Sequence, residues 1–340
     1  MRSVICRYAI LSLFAGAVFS AACSEPAPPV APTPTPKSAD ARVQFYKDCW
    51  EAFNTQAWDK FGPCYADNAV SETIDGMPPS VSGRAAIIQR GKDEASAFPD
   101  RRGEVRLILA NGEHLASVAM YTATNTGSMP GPDGKPAPPT GKAIGMLMAH
   151  TVEMDPTGSF AVSDAAYIDQ GTMMAQLGVS QAPARKAEKA TGAMATVVIA
   201  KNDDTERANL AAAQAEIADF NKHDIAAISA TAAPDYKFIE IPRPADANLK
   251  EMTAGLKEMF AAFSDITITP SAVWAAGDYV VVTGALSGTN TGDMPSMKMK
   301  KTGKSVTTHF IEIFKYSGGK VQEDWLFYNG AAFAAQLGMK

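Results

Sequence analysis

The sequence predicts an α+β chain made of two tandem copies of one unit. Its 340 residues suit about two domains of roughly 150 residues each. Six short matches recur in the same order in the two halves, with an offset that drifts only from 167 to 159. Within each half the helical patterns come first and a run of strands follows, which is the α+β layout. The matches are Phe53-Asn54 with Phe220-Asn221, Phe98-Pro99-Asp100 with Phe263-Ser264-Asp265, and Asn125 to Pro130 with Asn290 to Pro295. Thr140-Gly141-Lys142 pairs with Thr302-Gly303-Lys304, His150-x-x-Glu153 with His309-x-x-Glu312, and Ala175 to Gly178 with Ala335 to Gly338. A period this long marks a duplicated domain rather than a short solenoid repeat. The units span 40–179 and 205–340.

Each unit opens with a helix (Asp40–Asn54; Thr205–Asn221) and a second, shorter one (Ala57–Tyr65; Asp224–Ala232). A strand follows at Val70–Ile74 or Tyr236–Ile241, then a third helix at Gly83–Phe98 or Asn248–Phe263. In the latter, Leu249, Met252, Leu256, Met259 and Phe260 recur at helical spacing. Four strands complete each unit, at 103–110, 114–124, 142–154 and 160–168, and at 266–275, 279–287, 304–315 and 320–328. Asn111-Gly112-Glu113 and Ser317-Gly318-Gly319-Lys320 read as hairpin turns. A short helix closes each unit before Gln-Leu-Gly. In the linker, 180–204, the Ala/Lys/Glu portion reads as helix, and Thr196–Ala200 as a strand docked on either unit.

The N-terminus reads as an address. Arg2 and Arg7 precede an apolar stretch, Tyr8–Phe19, and then Ser20, Ala21, Ala22 and Cys23. This resembles the lipobox of bacterial lipoproteins, although Ser20 stands where that family usually has Leu. The resemblance implies cleavage after residue 22 and a lipid on Cys23; the alternative is an ordinary secretory signal cut near Ala22. Residues 23–39 are rich in proline and form an extended tether. Ser24 after the Cys implies the outer membrane, with the body facing the periplasm. The lipid is then the membrane contact, since no internal apolar run is long enough to span a bilayer. In an oxidising compartment Cys49 and Cys64 form a disulfide or stay as two buried thiols.

With Lys+Arg at 31 and Asp+Glu at 36, the net charge of −5 offers no nucleic-acid surface. Four histidines without H-x-x-x-H or H-x-H spacing supply no metal cluster, and no P-loop or Gly-x-Ser-x-Gly is present. Neither a metal nor an organic cofactor is expected. Gly131–Pro139 forms a loop near the pocket mouth.

Helix, helix, strand, helix and four long strands resemble the cone-shaped barrel of the NTF2-like superfamily. The Phe-Pro-Asp, the Thr-x-Thr-Gly strand end, the Thr-Gly-Lys strand start and the closing aromatic-x-Asp…Gln-Leu-Gly resemble its SnoaL-like polyketide cyclase branch. The resemblance implies a deep apolar pocket for a small apolar carbonyl compound. It also implies an acidic residue before the last helix that acts as general acid/base in a cofactor-free aldol cyclisation, and two domains that pack sheet to sheet as an intrachain pseudo-dimer. Asp169 occupies the acidic position in the first unit and Asn329 in the second. Asn125 and Asn290 stand where the family commonly has His, which keeps a hydrogen-bond donor for a carbonyl but removes an acid. Asp169 is therefore either the base of a cyclase or isomerase or the N-cap of a helix beginning near Gln170, a role Asn329 fills equally well. Strand alternation puts His150, Val152 and Met154 on one face, so His150, with His309 matched to it, either lines the pocket or is structural. The second unit's Asn290, His309 and Asn329 are the ligand-binding counterparts of Asn125, His150 and Asp169. Two function classes follow: a cofactor-free cyclase, or a non-catalytic binding or interaction module of the envelope.

Overall fold

In a computed structural model the described residues are 35–76, 79–130 and 135–339. Cys23, the leader and residues 131–134 of the Gly131–Pro139 loop lie outside them. Among the described residues no helix is long and apolar enough to cross a membrane.

The first repeat runs α1 (Ala39–Asn54), α2 (Trp58–Phe61), β1 (Tyr65–Thr73), β2 (Ser80–Ser82), α3 (Arg84–Ala97), β3 (Arg102–Asn111) and β4 (His114–Thr124). A two-residue ladder of β5 (Met129–Pro130) and β6 (Pro136–Ala137) follows, then β7 (Ala143–Met154), β8 (Ala161–Tyr167) and α4 (Gln170–Gln176). After β9 (Thr196–Ile199), the second repeat runs α5 (Asp204–Asn221), α6 (Ile225–Thr231), β10 (Ala232–Glu240), β11 (Ala247–Asn248) and α7 (Leu249–Ala262). It ends with β12 (Thr267–Ala276), β13 (Tyr279–Thr289), β14 (Ser305–Ser317), β15 (Lys320–Tyr328) and α8 (Gly330–Gln336). The sheet orders are β2-β1-β8-β7-β4-β3-β9 and β11-β10-β15-β14-β13-β12, the same path twice. In each, the first long strand lies parallel to the last, and the other long neighbours are antiparallel hairpins.

Local chemistry starts the helices. Ser38 Oγ accepts from the Ala41 N–H at α1, Asp203 from Glu206 at α5, and Asn248 with Glu251 forms a reciprocal capping box at α7. Gly112, at φ 59°, makes the tight β3–β4 turn that a side chain with a Cβ would strain. Thr196–Ile199 is a strand, docked parallel to β3 of the first repeat. The Ala/Lys/Glu stretch before it is not helical.

Inward residues of each curved sheet pack on their own helices: Ile108, Leu115, Val152 and Met154 against Val43 and Tyr46, and Val282, Phe310 and Phe314 against Ala213 and Ile217. Outward residues form a third cluster that belongs to both repeats. Leu107, Leu109, Ala116, Val118, Ala149 and Tyr167 meet Val281, Ile311, Ile313 and Phe327 there. The two sheets thus lie back to back within one compact body, Pro36–Lys340.

Cys49 and Cys64 are joined in a disulfide across 15 positions, tying α1 to the start of β1. Reducing it, or replacing both residues by serine, is expected to cost the first repeat roughly 3 kcal/mol, measured by urea denaturation with and without reductant.

Candidate functional site

The strand ladders decide which side chains enter each cone, and they correct the His-x-x-Glu match. Val152 lies opposite Asp164 on β8, and Phe314 lies opposite Asp324 on β15. Asp164 and Asp324 are equivalent by register, opposite Ser71 and Phe238 of the paired parallel strand, and each takes a hydrogen bond from a tyrosine of that strand, Tyr65 or Tyr236. Counting back along β7 and β14, His150 corresponds to Glu312 and not to His309. His150 points into the first cone, as strand alternation predicts. His309 points out of the second and belongs to a link between the repeats. Its backbone N–H and Nδ1 meet Asp75 at 2.6 and 2.8 Å.

The other nominated residues are occupied by backbone. Asn125 is fully buried; its Nδ2 donates to the carbonyls of Ala97 and Gly127, and its Oδ1 accepts from the Thr140 N–H at 2.8 Å. Asn290 repeats this with Ala262, Gly292 and Thr302. Both staple the strand-end loop to the end of the third helix, so neither presents its amide to a ligand. Asp169, 3 % exposed, is the N-cap of α4, accepting from the Gly171 and Thr172 N–H groups at 3.2 and 2.8 Å. Its Oδ1 also accepts from the Gly330 N–H at 3.0 Å, at the start of α8. Asn329 caps α8 through the Ala332 N–H and donates to the Asp75 carbonyl at 2.9 Å. One carboxylate therefore serves two helix N-termini, and its partner is an amide that adds no second charge. These bonds leave Asp169 as a cap, facing the other repeat rather than the cone.

Inside the first cone a polar chain crosses the apolar lining. Tyr46 on α1 bonds Ser117 on β4 at 2.7 Å and His150 Nδ1 at 3.0 Å. His150 Nε2 lies 3.3 Å from Asp164, which accepts from Tyr65 at 2.5 Å and from Ser71, itself bonded by Arg90. Burial opposes charge on Asp164, but the hydrogen bonds and charge of His150, with those of Ser71 and Tyr65, hold its carboxyl below the ordinary range. Both ring nitrogens of His150 are thus engaged.

Beside this chain Trp50 meets His150 edge-on at 5.7 Å and Phe53 at 5.8 Å. The Arg101 guanidinium lies 4.2 Å over Phe53 and 5.3 Å from Trp58. Arg101 is 2 % exposed, and its Nε and Nη1 have no hydrogen-bond partner; Glu94 lies 3.5 Å from Nε without bonding geometry. Burial raises the Glu94 carboxyl, opposed by the Tyr121 hydroxyl, which donates to it at 2.5 Å, and by Arg101. His150, Ala166 and Ile168 on the concave face keep part of their surface exposed.

The second cone is chemically different. Ala213 and Val282 stand where the first has Tyr46 and Ser117, and Glu216 stands where it has Cys49. Glu216, Glu312 and Asp324 gather there. Burial pushes the Glu216 carboxyl up to about 8 and raises Glu312 and Asp324, with Glu312 also in the field of Asp324 and Glu216. Sequence reading missed these three. Glu312 was visible as a lone charge between Ile311 and Ile313 on an apolar strand, and Asp324 as the repeat of Asp164. Among the described residues no three acidic, His or Cys groups are arranged to hold a metal. Between the sheets a cleft of about 320 Å³ is lined by Glu72, Thr151, Glu153 and Thr283, with His114 stacked on Trp274.

A sequence model of the SnoaL-like polyketide cyclase family matches residues 40–177 and again 211–337. Solved structures similar to this chain include a putative SnoaL-like polyketide cyclase from Jannaschia (19 % identity, 40 % of this chain and 94 % of that one, TM-score 0.37). Another is IdmH, a putative polyketide cyclase from Streptomyces antibioticus (24 %, 40 % and 98 %, TM-score 0.35). A third is an NTF2-like protein of unknown function from Burkholderia pseudomallei (15 %, 38 % and 97 %, TM-score 0.34). No curated protein matches the chain.

Two outcomes follow from the caps and the carboxyls. Asp169→Ala is expected to destabilise the protein by about 1–2 kcal/mol and Asp169→Asn by clearly less, in urea denaturation at neutral pH. Carboxyls raised in the folded state bind protons that the unfolded chain releases, so their contribution is complete at acid pH and is lost as pH rises. The second repeat should therefore weaken from the ordinary carboxylate range up through about pH 8, and Glu216→Gln should flatten that slope. Asp164, lowered, acts oppositely: its contribution to the first repeat is present above the ordinary Asp range and is lost on acidification. Melting curves from pH 3 to 9, with Glu216→Gln alongside, read both.

Proposed function

We propose that this chain, which belongs to the SnoaL-like polyketide cyclase family, binds a small apolar compound bearing carbonyl or carboxylate oxygen in the first cone, without turning it over. The carrying observation is Arg101: a buried cation on an aromatic face, with two nitrogens lacking hydrogen-bond partners. An unmade bond on a buried charged donor costs stability, and a ligand oxygen would satisfy it. Trp50, Phe53 and Trp58 supply the apolar wall. The nominated proton carriers support binding over chemistry, because Asp169 is held by three backbone N–H groups and His150 by Tyr46 and Asp164.

A second reading keeps a cofactor-free cyclase or isomerase. It is favoured by Glu94, whose raised carboxyl lies beside Arg101 and could pass a proton to a bound carbonyl. Asp169 would serve such a reaction only after giving up its caps. The cellular place in both readings is the envelope, through a lipid on Cys23, most simply in the outer membrane facing the periplasm. The basic n-region, the apolar Tyr8–Phe19, the proline-rich tether and a Cys pair suited to an oxidising compartment support that address.

Native mass spectrometry of the protein purified from its own envelope tests these readings. Binding predicts the same adduct on the wild type, Asp169→Asn and Glu94→Gln. Arg101→Met should weaken binding of that compound about tenfold or more, the loss of a charge-assisted hydrogen bond. A less rearranged precursor on Glu94→Gln or Asp169→Asn would replace binding by catalysis.

A further inference from the structure

The second cone gathers acidic groups that no basic side chain among the described residues pairs. Glu216 projects from α5, Glu312 from β14 and Asp324 from β15. The protein partners of two of them are hydroxyls: Thr231 Oγ1 donates to Glu216 at 3.1 Å and Tyr236 donates to Asp324 Oδ2 at 2.8 Å, while Asp324 Oδ1 has no hydrogen-bond partner. Among the described residues no Lys, Arg or His bonds any of the three. Arg243 is spent on Glu240, which also accepts from Tyr328 at 2.7 Å. The first cone, by contrast, sets His150 against Asp164, and Arg90 bonds the Ser71 that donates to it.

A second observation is independent of the carboxyls. The Tyr316 hydroxyl, on a residue 4 % exposed, has no hydrogen-bond partner, and it lies within the field of Glu216, Asp324 and Glu312 together. A buried phenol left unpaired at the focus of three acidic groups is a costly arrangement unless a guest completes it. Glu216, Glu312, Phe238, Leu326 and Tyr328 each keep part of their surface exposed.

We propose that the second cone binds an apolar amine as its ammonium ion, with the nitrogen among Glu216, Glu312 and Asp324 and the hydrocarbon along Phe238 and Leu326. An ammonium head has three donors and a full charge, which suits acceptors spread over three elements. A metal ion would need them gathered on one point, and they are not. Aromatic faces beside the acids add attraction for the same charge. The site is separate from the donor-lined recess of the first cone and takes ligands of opposite character.

The test is calorimetric titration of the full chain at pH 7 with hexylamine and 2-phenylethylamine, beside 1-hexanol and hexanoate. The proposal expects at least one amine to bind, with hexanol at least tenfold weaker and hexanoate absent from this site. Glu312→Gln and Glu216→Gln should each weaken the amine tenfold or more. Tyr316→Phe keeps the shape, guards against an acid variant that fails to fold, and should weaken it about threefold. Failure of both amines to bind, hexanol binding as tightly as hexylamine, or amine affinity unchanged in folded Glu216→Gln and Tyr316→Phe would each overturn the proposal.

Discussion

The apolar seam between the two sheets sets the terms for everything else in this protein. A sheet with helices on one face needs a second cover for the other, and here each repeat supplies it to its neighbour through Leu107, Leu109, Val118, Val281, Ile311 and Ile313. Because successive strand residues alternate between faces, fixing the outward set fixes the inward one. Ile311 and Ile313 in the seam place Glu312 in the cone, and Ala149 in the seam does the same for His150. A shift of one residue in either strand would send the polar group into the seam and the isoleucines into the recess.

The duplication and the order of the main elements were legible, because each rests on local signals: repeated short motifs and apolar periodicity. The disulfide partners were the one natural pair. The site was much less legible. Matching His150 with His309 looked sound in letters, yet it aligned an inward residue with an outward one, since similarity of a short motif carries no strand phase. The ladders place Glu312 opposite Leu326 and His150 opposite Ala166, and this pairing reveals the true equivalence. Asn125, Asn290 and Asp169 were attractive because the family resemblance puts a His at the strand end and an acid before the last helix. Those same positions leave backbone groups unpaired, and here the side chains satisfy them.

The Asp169–Asn329 pair shows how a duplicated structure resolves a conflict of charge. Where α4 and α8 begin side by side, each N-terminus favours an anion. Two carboxylates buried together would repel, and one of them would be forced to hold a proton. One Asp reaching across to the Gly330 N–H, with an Asn completing the other cap, satisfies both ends with a single charge. The asymmetry between the repeats at this point reads as electrostatic accommodation.

Position 49 holds a half-cystine and its counterpart 216 an acid, on the same face of equivalent helices. Two copies of one fold have thereby been given unlike vulnerabilities: a thiol reagent unpicks one, a base the other. Reduction and a rise in pH are separate chemical events. Neither challenge alone strikes both halves through the same bond. The two repeats therefore lose stability under different conditions, the first on reduction and the second as pH rises.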